Sequence, residues 1–195
     1  MIHLLHGLRL LHNNDILHRD LKLENIMVSQ QMYKIGDMNV SKINKFGLVE
    51  TQTGTPYYAS PEVWKDEPYN EKSDIWSLGC ILYEMTTFRP PFSGTNMNDL
   101  HKNIMRGTYH PIPKLYSNEL ASIIYSCLKL SPKQRPGVSE LLENWSLKMY
   151  ENICIDYKIE EKNTNIQMLR TIALPKNINE LNKHLPKSNY HTDKG

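Results

Sequence analysis

Hydrophobic residues recur at helical spacing in several separate stretches of the chain. Near the start, Leu4, Leu8 and Leu11 fall on one stripe, which predicts a helix over residues 1–12. Three further stripes have the same spacing, and their members are Met97, Leu100 and Ile104; Leu120, Ile123, Ile124, Cys127 and Leu128; and Val138, Leu141, Leu142 and Trp145. Gly107 is placed to end the second of these helices. The pattern therefore predicts a mainly α-helical fold.

One stretch, residues 74–85, is apolar on nearly every face and is too short to span a bilayer. This pattern is typical of a helix buried in a core. Asp74 stands at its start, where a carboxylate can cap free amides and interact favourably with the helix dipole. We therefore expect this helix to begin at Asp74 and to form the centre of the domain.

Short apolar runs flank a polar segment that extends from His18 to Asn25. The runs predict short strands near residues 16–18, 26–28 and 33–35, with the polar segment held as a loop. Within the loop, Asp20, Lys22 and Asn25 have the spacing Asp-x-Lys-x-x-Asn. The simpler alternative is a polar turn whose Asp and Asn side chains satisfy backbone groups.

This loop resembles the catalytic loop of eukaryotic protein kinases, which has the pattern H-R-D-L-x-x-x-N. The resemblance implies that Asp20 accepts or orients the proton of a substrate hydroxyl. It implies that Lys22 neutralises charge on the transferred phosphoryl group and that Asn25 holds Mg²⁺ through its amide oxygen. The resemblance also implies contacts with ATP for Lys22, Asn25 and Met27, the last of which lies in the apolar run that follows.

Asp37 begins the segment that corresponds to D-F-G in kinases, and the resemblance makes it the second Mg²⁺ ligand and a further ATP contact. Met38 and Asn39 depart from the family pattern at the next two positions. Met can still pack as an apolar residue, and Asn tolerates positive φ better than most residues. The alternative for Asp37 is an Asx-type turn after a strand.

Residues 37–62 resemble a kinase activation segment that ends in Ser60-Pro61-Glu62, where the family has A-P-E. A phosphate on Thr51 could pair with Arg19 and Lys42 and order the segment. The alternative is that Thr51 is an ordinary solvated threonine. The resemblance also implies that Thr55 faces the substrate beside Asp20 and Lys22.

Two structural contacts follow from the same resemblance. Glu62 is expected to pair with Arg135, although a surface arginine in a proline-rich turn is the alternative. Asp74 is expected to hydrogen-bond the backbone of the catalytic loop, and simple helix capping is the alternative. Both roles of Asp74 can hold together.

The stretches Asp37–Lys42 and Gly54–Glu62 are most similar to NIMA-related serine/threonine kinases. Lys22 and the Gly-Thr-Pro-Tyr-Tyr run favour serine/threonine over tyrosine specificity, as that resemblance implies. The chain is accordingly expected to use ATP and Mg²⁺ and to act on serine or threonine in protein substrates.

The composition is that of a soluble globular protein. Hydrophobic residues make up 39% of the 195 residues, and the net charge of +2 gives no reason to expect nucleic acid or a membrane as a partner. Cys80, Cys127 and Cys154 are widely spaced and odd in number, which favours a reducing compartment. We expect a cytoplasmic protein, with cytoskeletal or nuclear association left open, and the oligomeric state does not follow from the sequence.

Two domains are expected, a kinase C-lobe over residues 1–147 and a polar tail over residues 148–195. No Gly-x-Gly occurs, and nothing before His18 resembles the strand lysine of a complete kinase. The small lobe is therefore expected to be absent. Because no capping residue precedes the first helix, we expect the sequence to begin inside a longer protein. The chain is then either an incomplete catalytic domain or a non-catalytic C-lobe module that binds protein partners.

Overall fold

The computed structural model describes residues 1–29, 32–37 and 56–154, with only the backbone described for 151–154. All of these residues lie in the first of two compact units, Met1–Asp156. The helices are α1 (Ile2–His12), α2 (Pro61–Trp64), α3 (Glu71–Thr87), α4 (Met97–Arg106), α5 (Asn118–Cys127), α6 (Val138–Glu143) and α7 (Trp145–Cys154). The strands are β1 (Ile26–Ser29) and β2 (Met32–Ile35), and short 3₁₀ turns occupy Leu23–Asn25 and Pro132–Gln134. The predicted mainly helical character is confirmed for the described residues.

Helix α3 lies at the centre of the core, as predicted. Its residues from Ser73 to Tyr83 are all buried, and Ile75, Trp76, Leu78 and Ile81 have no exposed surface. The helix begins earlier than the sequence suggested, because Asn70 is the N-cap and accepts a hydrogen bond from the Lys72 amide at 2.9 Å. The prediction that Asp74 starts the helix is wrong, since Asp74 lies inside the first turn and its carboxylate bonds groups outside α3.

The other helices pack their apolar stripes around α3. The leucines predicted to share a face of α1 are all buried, and so are Leu100 and Ile104 of α4. Gly107 ends α4 with φ +64, a conformation that glycine adopts without steric cost. The single helix expected from Val138 to Trp145 is instead two, because Asn144 leaves helical geometry and its side chain caps α7 through the Ser146 amide.

Strands β1 and β2 form an antiparallel hairpin, with Ile26 opposite Ile35. This confirms the strands predicted near residues 26–28 and 33–35. The strand predicted at 16–18 is wrong, because these residues form no strand. The Ile16 amide returns to the Leu11 carbonyl at 3.0 Å, and the His18 amide donates to Asp74, so neither is available to a strand ladder.

Helix α7 continues through the domain boundary predicted at residue 147 and ends at Cys154. The division into a kinase domain and a polar tail stays a prediction, and residues 155–195 lie outside the described part. Within the described ranges, no helix has the length and apolar character needed to cross a membrane.

We predict that Leu78→Ala lowers the free energy of unfolding by about 2–5 kcal/mol, since Leu78 has no exposed surface and sits in the core around α3. Leu10→Ala is the matched control, because Leu10 is also helical but 62% exposed, and it should change stability by about 0.5 kcal/mol or less. Chemical denaturation followed by circular dichroism measures both. Equal losses in the two variants would contradict the central position of α3.

Candidate active site

The backbone of the predicted catalytic loop is fixed by one buried carboxylate. Asp74 accepts a hydrogen bond from the His18 amide on Oδ2, at 3.0 Å, and one from the Arg19 amide on Oδ1, at 3.1 Å. Arg19 has φ +68, a region that costs a non-glycine residue roughly 1–3 kcal/mol unless the surroundings hold it. The Asp74 carboxylate therefore holds the loop in a conformation that local preference disfavours.

Two more side chains complete the hydrogen bonding of Asp74. His12 donates from Nε2 to Oδ2 at 2.9 Å, and the Tyr69 hydroxyl donates to Oδ1 at 2.5 Å. Burial alone would raise the pKa of Asp74. The hydrogen bonds from His12, Tyr69 and the two loop amides outweigh it, so the pKa lies below the usual value and the carboxylate is ionised.

Two side chains of the loop, Lys22 and Asn25, converge on the Asp20 carboxylate. Lys22 donates from Nζ to Asp20 Oδ2 at 2.9 Å, and the Asn25 amide nitrogen lies 3.4 Å from the same oxygen. Asn25 also donates to the Asp20 backbone carbonyl at 2.7 Å. Asp20 remains 36% exposed and Lys22 29% exposed at the side chain. The side chains of Asp20 and Lys22 are therefore partly accessible to solvent, while Asn25 is buried.

Gly36 connects the loop to the end of β2. Its amide donates to the Asn25 carbonyl at 2.8 Å, and its own carbonyl accepts from His18 Nε2 at 3.0 Å. Asp37 follows directly, is exposed and has φ +50. Two hydrogen bonds to the residue before Asp37 thus fix the backbone beside the loop that contains Asn25, at the point from which Asp37 follows.

Asn25 and Asp37 fit the demands of Mg²⁺ in their chemistry. The Asn25 amide nitrogen is occupied by Asp20, and Oδ1 accepts no hydrogen bond from the described residues. The Asp37 carboxylate is exposed. Mg²⁺ prefers oxygen ligands and commonly takes only one or two from protein, with water and phosphate supplying the rest. No group of three or more His, Cys, Asp or Glu side chains suited to a metal occurs within the described ranges.

Met27 lies against the same glycine. A Cβ atom built on Gly36 would be 2.6 Å from Met27 Cε, so the thioether covers the Gly36 backbone, and a larger residue at position 36 would displace it. Met27 is 56% exposed. The residue is thus close to the loop and accessible, while its contact with nucleotide stays a prediction.

Glu62 and Arg135 form a buried two-pronged ion pair, with N–O distances of 2.6 and 2.7 Å. Arg135 also donates to the backbone carbonyls of Lys129, Lys72 and Leu130. Burial would raise the pKa of Glu62, but hydrogen bonds from Arg135 and Ser73 lower it below its usual value overall. The pair expected from the sequence is therefore present, and it joins α2 to the turn before α6.

A contact that the sequence did not suggest joins Tyr58 to α3. The Tyr58 hydroxyl donates to Glu84 Oε2 at 2.6 Å, and the Tyr58 carbonyl accepts from Ser77 Oγ at 2.9 Å. Burial, then the Glu84 carboxylate, raise the pKa of Tyr58, so its hydroxyl stays a donor. The available signal was Glu84 itself, the only charged residue between Ile75 and Met85.

Several predicted residues cannot be placed. Thr51, Lys42 and Thr55 lie outside the described residues, as do Met38 and Asn39. The remaining regulatory candidate, Arg19, has an exposed side chain. The roles assigned to these positions therefore stay predictions.

Comparisons with known proteins identify the family of this chain. The family model for the protein kinase domain matches residues 1–146. The probable serine/threonine-protein kinase nek3 of Dictyostelium discoideum is 42% identical over 169 residues, which cover 82% of this chain and 15% of the relative. The human serine/threonine-protein kinase Nek5 is 42% identical over 141 residues, which cover 70% of this chain and 20% of the relative. The zebrafish (Danio rerio) serine/threonine-protein kinase Nek8 is 46% identical over 134 residues, which cover 67% of this chain and 19% of the relative.

The chain belongs to the protein kinase domain family. Its relatives named above are NIMA-related (Nek) serine/threonine kinases, which confirms the resemblance inferred from the loop and segment motifs. The chain spans no more than about a fifth of the length of these relatives.

We predict that Glu62→Gln lowers the free energy of unfolding by about 3–5 kcal/mol, because it leaves the buried Arg135 guanidinium without a counter-charge. Arg135→Met combined with Glu62→Gln should cost less than the sum of the two single changes, by roughly 0.5–3 kcal/mol. Glu143→Gln makes the same chemical change at an exposed position and serves as control. Strict additivity in denaturant unfolding would show that the pair is not coupled.

Proposed function

We propose that this chain provides the larger lobe of an ATP-dependent serine/threonine protein kinase. The observation that supports this most directly is the assembly of Asp20, Lys22 and Asn25 in one loop, with Asp37 joined to it through Gly36. A non-catalytic module that only binds partners has no chemical need for this set. The small lobe, which completes a nucleotide cleft in this family, would then be supplied by sequence outside these residues.

Asp20 is positioned to act on the substrate hydroxyl. Its Oδ2 atom is engaged by Lys22 and lies near the Asn25 amide. Oδ1, which accepts no hydrogen bond from the described residues, is the oxygen proposed to accept a proton or orient the hydroxyl. General-base assistance of this kind typically contributes about 10²–10⁴-fold in rate. Lys22, held beside Asp20, is placed to neutralise charge on the group being transferred.

Asn25 and Asp37 would hold Mg²⁺, and Met27 with Lys22 would contact ATP. Bound Mg²⁺ neutralises charge on the β- and γ-phosphates and orients them for transfer. The protein would contribute by fixing the two ligands. Gly36 is hydrogen-bonded to Asn25 and His18, and these bonds fix the backbone from which Asp37 follows.

Protein serine and threonine residues are the proposed acceptors. The support is the identity to serine/threonine kinases and the Gly-Thr-Pro-Tyr-Tyr run, in which Thr55 would face the substrate beside Asp20. Tyr58, three residues later in the sequence, is hydrogen-bonded to Glu84 and Ser77 of α3. A cytoplasmic setting is part of the same proposal.

We predict that the 195-residue chain alone transfers phosphate barely, if at all, and that adding the small lobe of a related kinase restores transfer. Positioning of bound reactants can supply roughly 7–11 kcal/mol of barrier reduction, and half a cleft cannot provide it. In the restored protein, Asp20→Asn should lower turnover by about 10²–10⁴-fold while leaving the fold intact. Radiolabelled phosphate transfer from ATP to a generic protein substrate is the assay.

Two controls accompany this experiment. Asp15→Asn makes the same change at an exposed position near the loop and should leave turnover unchanged. Asp37→Ala should weaken Mg²⁺-dependent nucleotide binding, which separates metal binding from proton transfer. Strong transfer by the short chain would remove the need for a small lobe, and full turnover by Asp20→Asn would overturn the assignment of the loop.

Thr51 is the proposed regulatory phosphosite of the complete enzyme. Phosphate there would gain charge-assisted hydrogen bonds from Arg19 and Lys42, so Thr51→Ala should lower activity by about tenfold or more. Mass spectrometry of active protein locates the phosphate, and Thr53→Ala is the matched control. Unchanged activity of Thr51→Ala, together with no phosphate at this position, would move the switch elsewhere.

A further inference from the structure

The four donors on Asp74 are divided evenly between its two oxygens. Oδ1 accepts from the Arg19 amide and the Tyr69 hydroxyl, and Oδ2 accepts from the His18 amide and His12 Nε2. Each oxygen thus bonds one amide of the catalytic loop and one side chain from outside it. The two side-chain donors, His12 and Tyr69, therefore add a second hydrogen bond to each oxygen beside the one from the loop.

The orientation of this carboxylate decides where the loop amides lie. Helix α3 fixes the backbone of Asp74, but the terminal torsion of an aspartate is broad, so the backbone alone does not fix the carboxylate plane. A rotation about that torsion would move both oxygens away from the His18 and Arg19 amides. Arg19, at φ +68, would then lose the contact that holds its disfavoured conformation.

We propose that Tyr69 is a positioning residue for the catalytic loop, whose hydroxyl fixes the plane of the Asp74 carboxylate so that it can bind the His18 and Arg19 amides. Tyr69 is well placed for this, because it directly precedes Asn70, the N-cap of α3. The donor and the acceptor are therefore only five residues apart, on either side of the start of α3. The effect on catalysis rests on the proposed function, whereas the effect on the two amides does not.

The hydroxyl of Tyr69 is a permanent donor. Burial raises the pKa of Tyr69 well above its usual value, and the negative charge of Asp74 raises it further. Asp74 is ionised and has no exposed surface, so losing one donor leaves a buried carboxylate oxygen with one fewer partner. The ring of Tyr69 could also serve only as packing, and this alternative predicts no role for the oxygen atom.

Tyr69→Phe separates the two explanations, because it keeps the ring and removes only the hydroxyl. Tyr109→Phe is the matched control, since the buried Tyr109 hydroxyl has no hydrogen-bond partner within the described residues. Amide hydrogen exchange of the 195-residue chain, resolved by NMR, is the first measurement. We expect Tyr69→Phe to speed exchange at the His18 and Arg19 amides by about tenfold, leaving α5 amides unchanged, and Tyr109→Phe to alter neither loop amide.

The second measurement uses the active protein restored with a small lobe. Tyr69→Phe should lower kcat by about ten- to a hundredfold with the KM for ATP nearly unchanged, because a displaced loop misplaces the catalytic group. Tyr109→Phe should keep full kcat. If the unsubstituted restored protein shows no transfer, the proposed kinase function fails, while the exchange result still decides the role of Tyr69.

Two results would overturn the proposal. The first is unchanged exchange at the His18 and Arg19 amides in Tyr69→Phe, which would leave the ring as the only contribution. The second is equal acceleration in α5 and in the loop, which would show that the hydroxyl supports overall stability rather than the loop in particular.

Discussion

The arrangement of the loop depends on a buried carboxylate that must be neutralised by hydrogen bonds. A charged group in a protein interior is costly unless donors replace its water, and Asp74 has no exposed surface. Its four donors come from the end of α1, from the catalytic loop and from Tyr69, which precedes the N-cap of α3. Satisfying this one charge therefore fixes three separate segments, and the loop is held by a requirement of the core rather than by its own sequence preference.

Much of the fold could be predicted because its signals are local. The stripes of α1, α4 and α5 and the terminating Gly107 all followed from spacing along the chain. The beginning of α3 did not, because Asp74 has two chemically reasonable uses and only the three-dimensional structure shows that Asn70 takes the capping role. The false strand at 16–18 has the same origin, since the His18 amide was satisfied by a side chain distant in sequence.

The candidate site divides in a similar way. Asp20, Lys22 and Asn25 are close in sequence, so a motif could place them together, and the pairing of Glu62 with Arg135 followed from family resemblance alone. The supporting groups were missed where they come from distant segments and belong to residue types with many ordinary uses. The loop amides on Asp74 were expected from the resemblance, but a tyrosine before a helix or a histidine at a helix end gives no sign of its partner, so the side-chain donors Tyr69 and His12 were seen only in the three-dimensional structure.

Exposure separates the reactive carboxylates from the structural ones. Asp74 and Glu62 are buried, and each has a full set of fixed donors that lower its pKa. Asp20 is 36% exposed at the side chain with one oxygen left without a donor from the described residues, and Asp37 is also exposed. A carboxylate that must accept a proton or a metal ion needs free lone pairs. A buried carboxylate that fixes backbone amides needs all of its lone pairs to accept hydrogen bonds. The same residue type thus serves both purposes, and the surrounding donors decide which one.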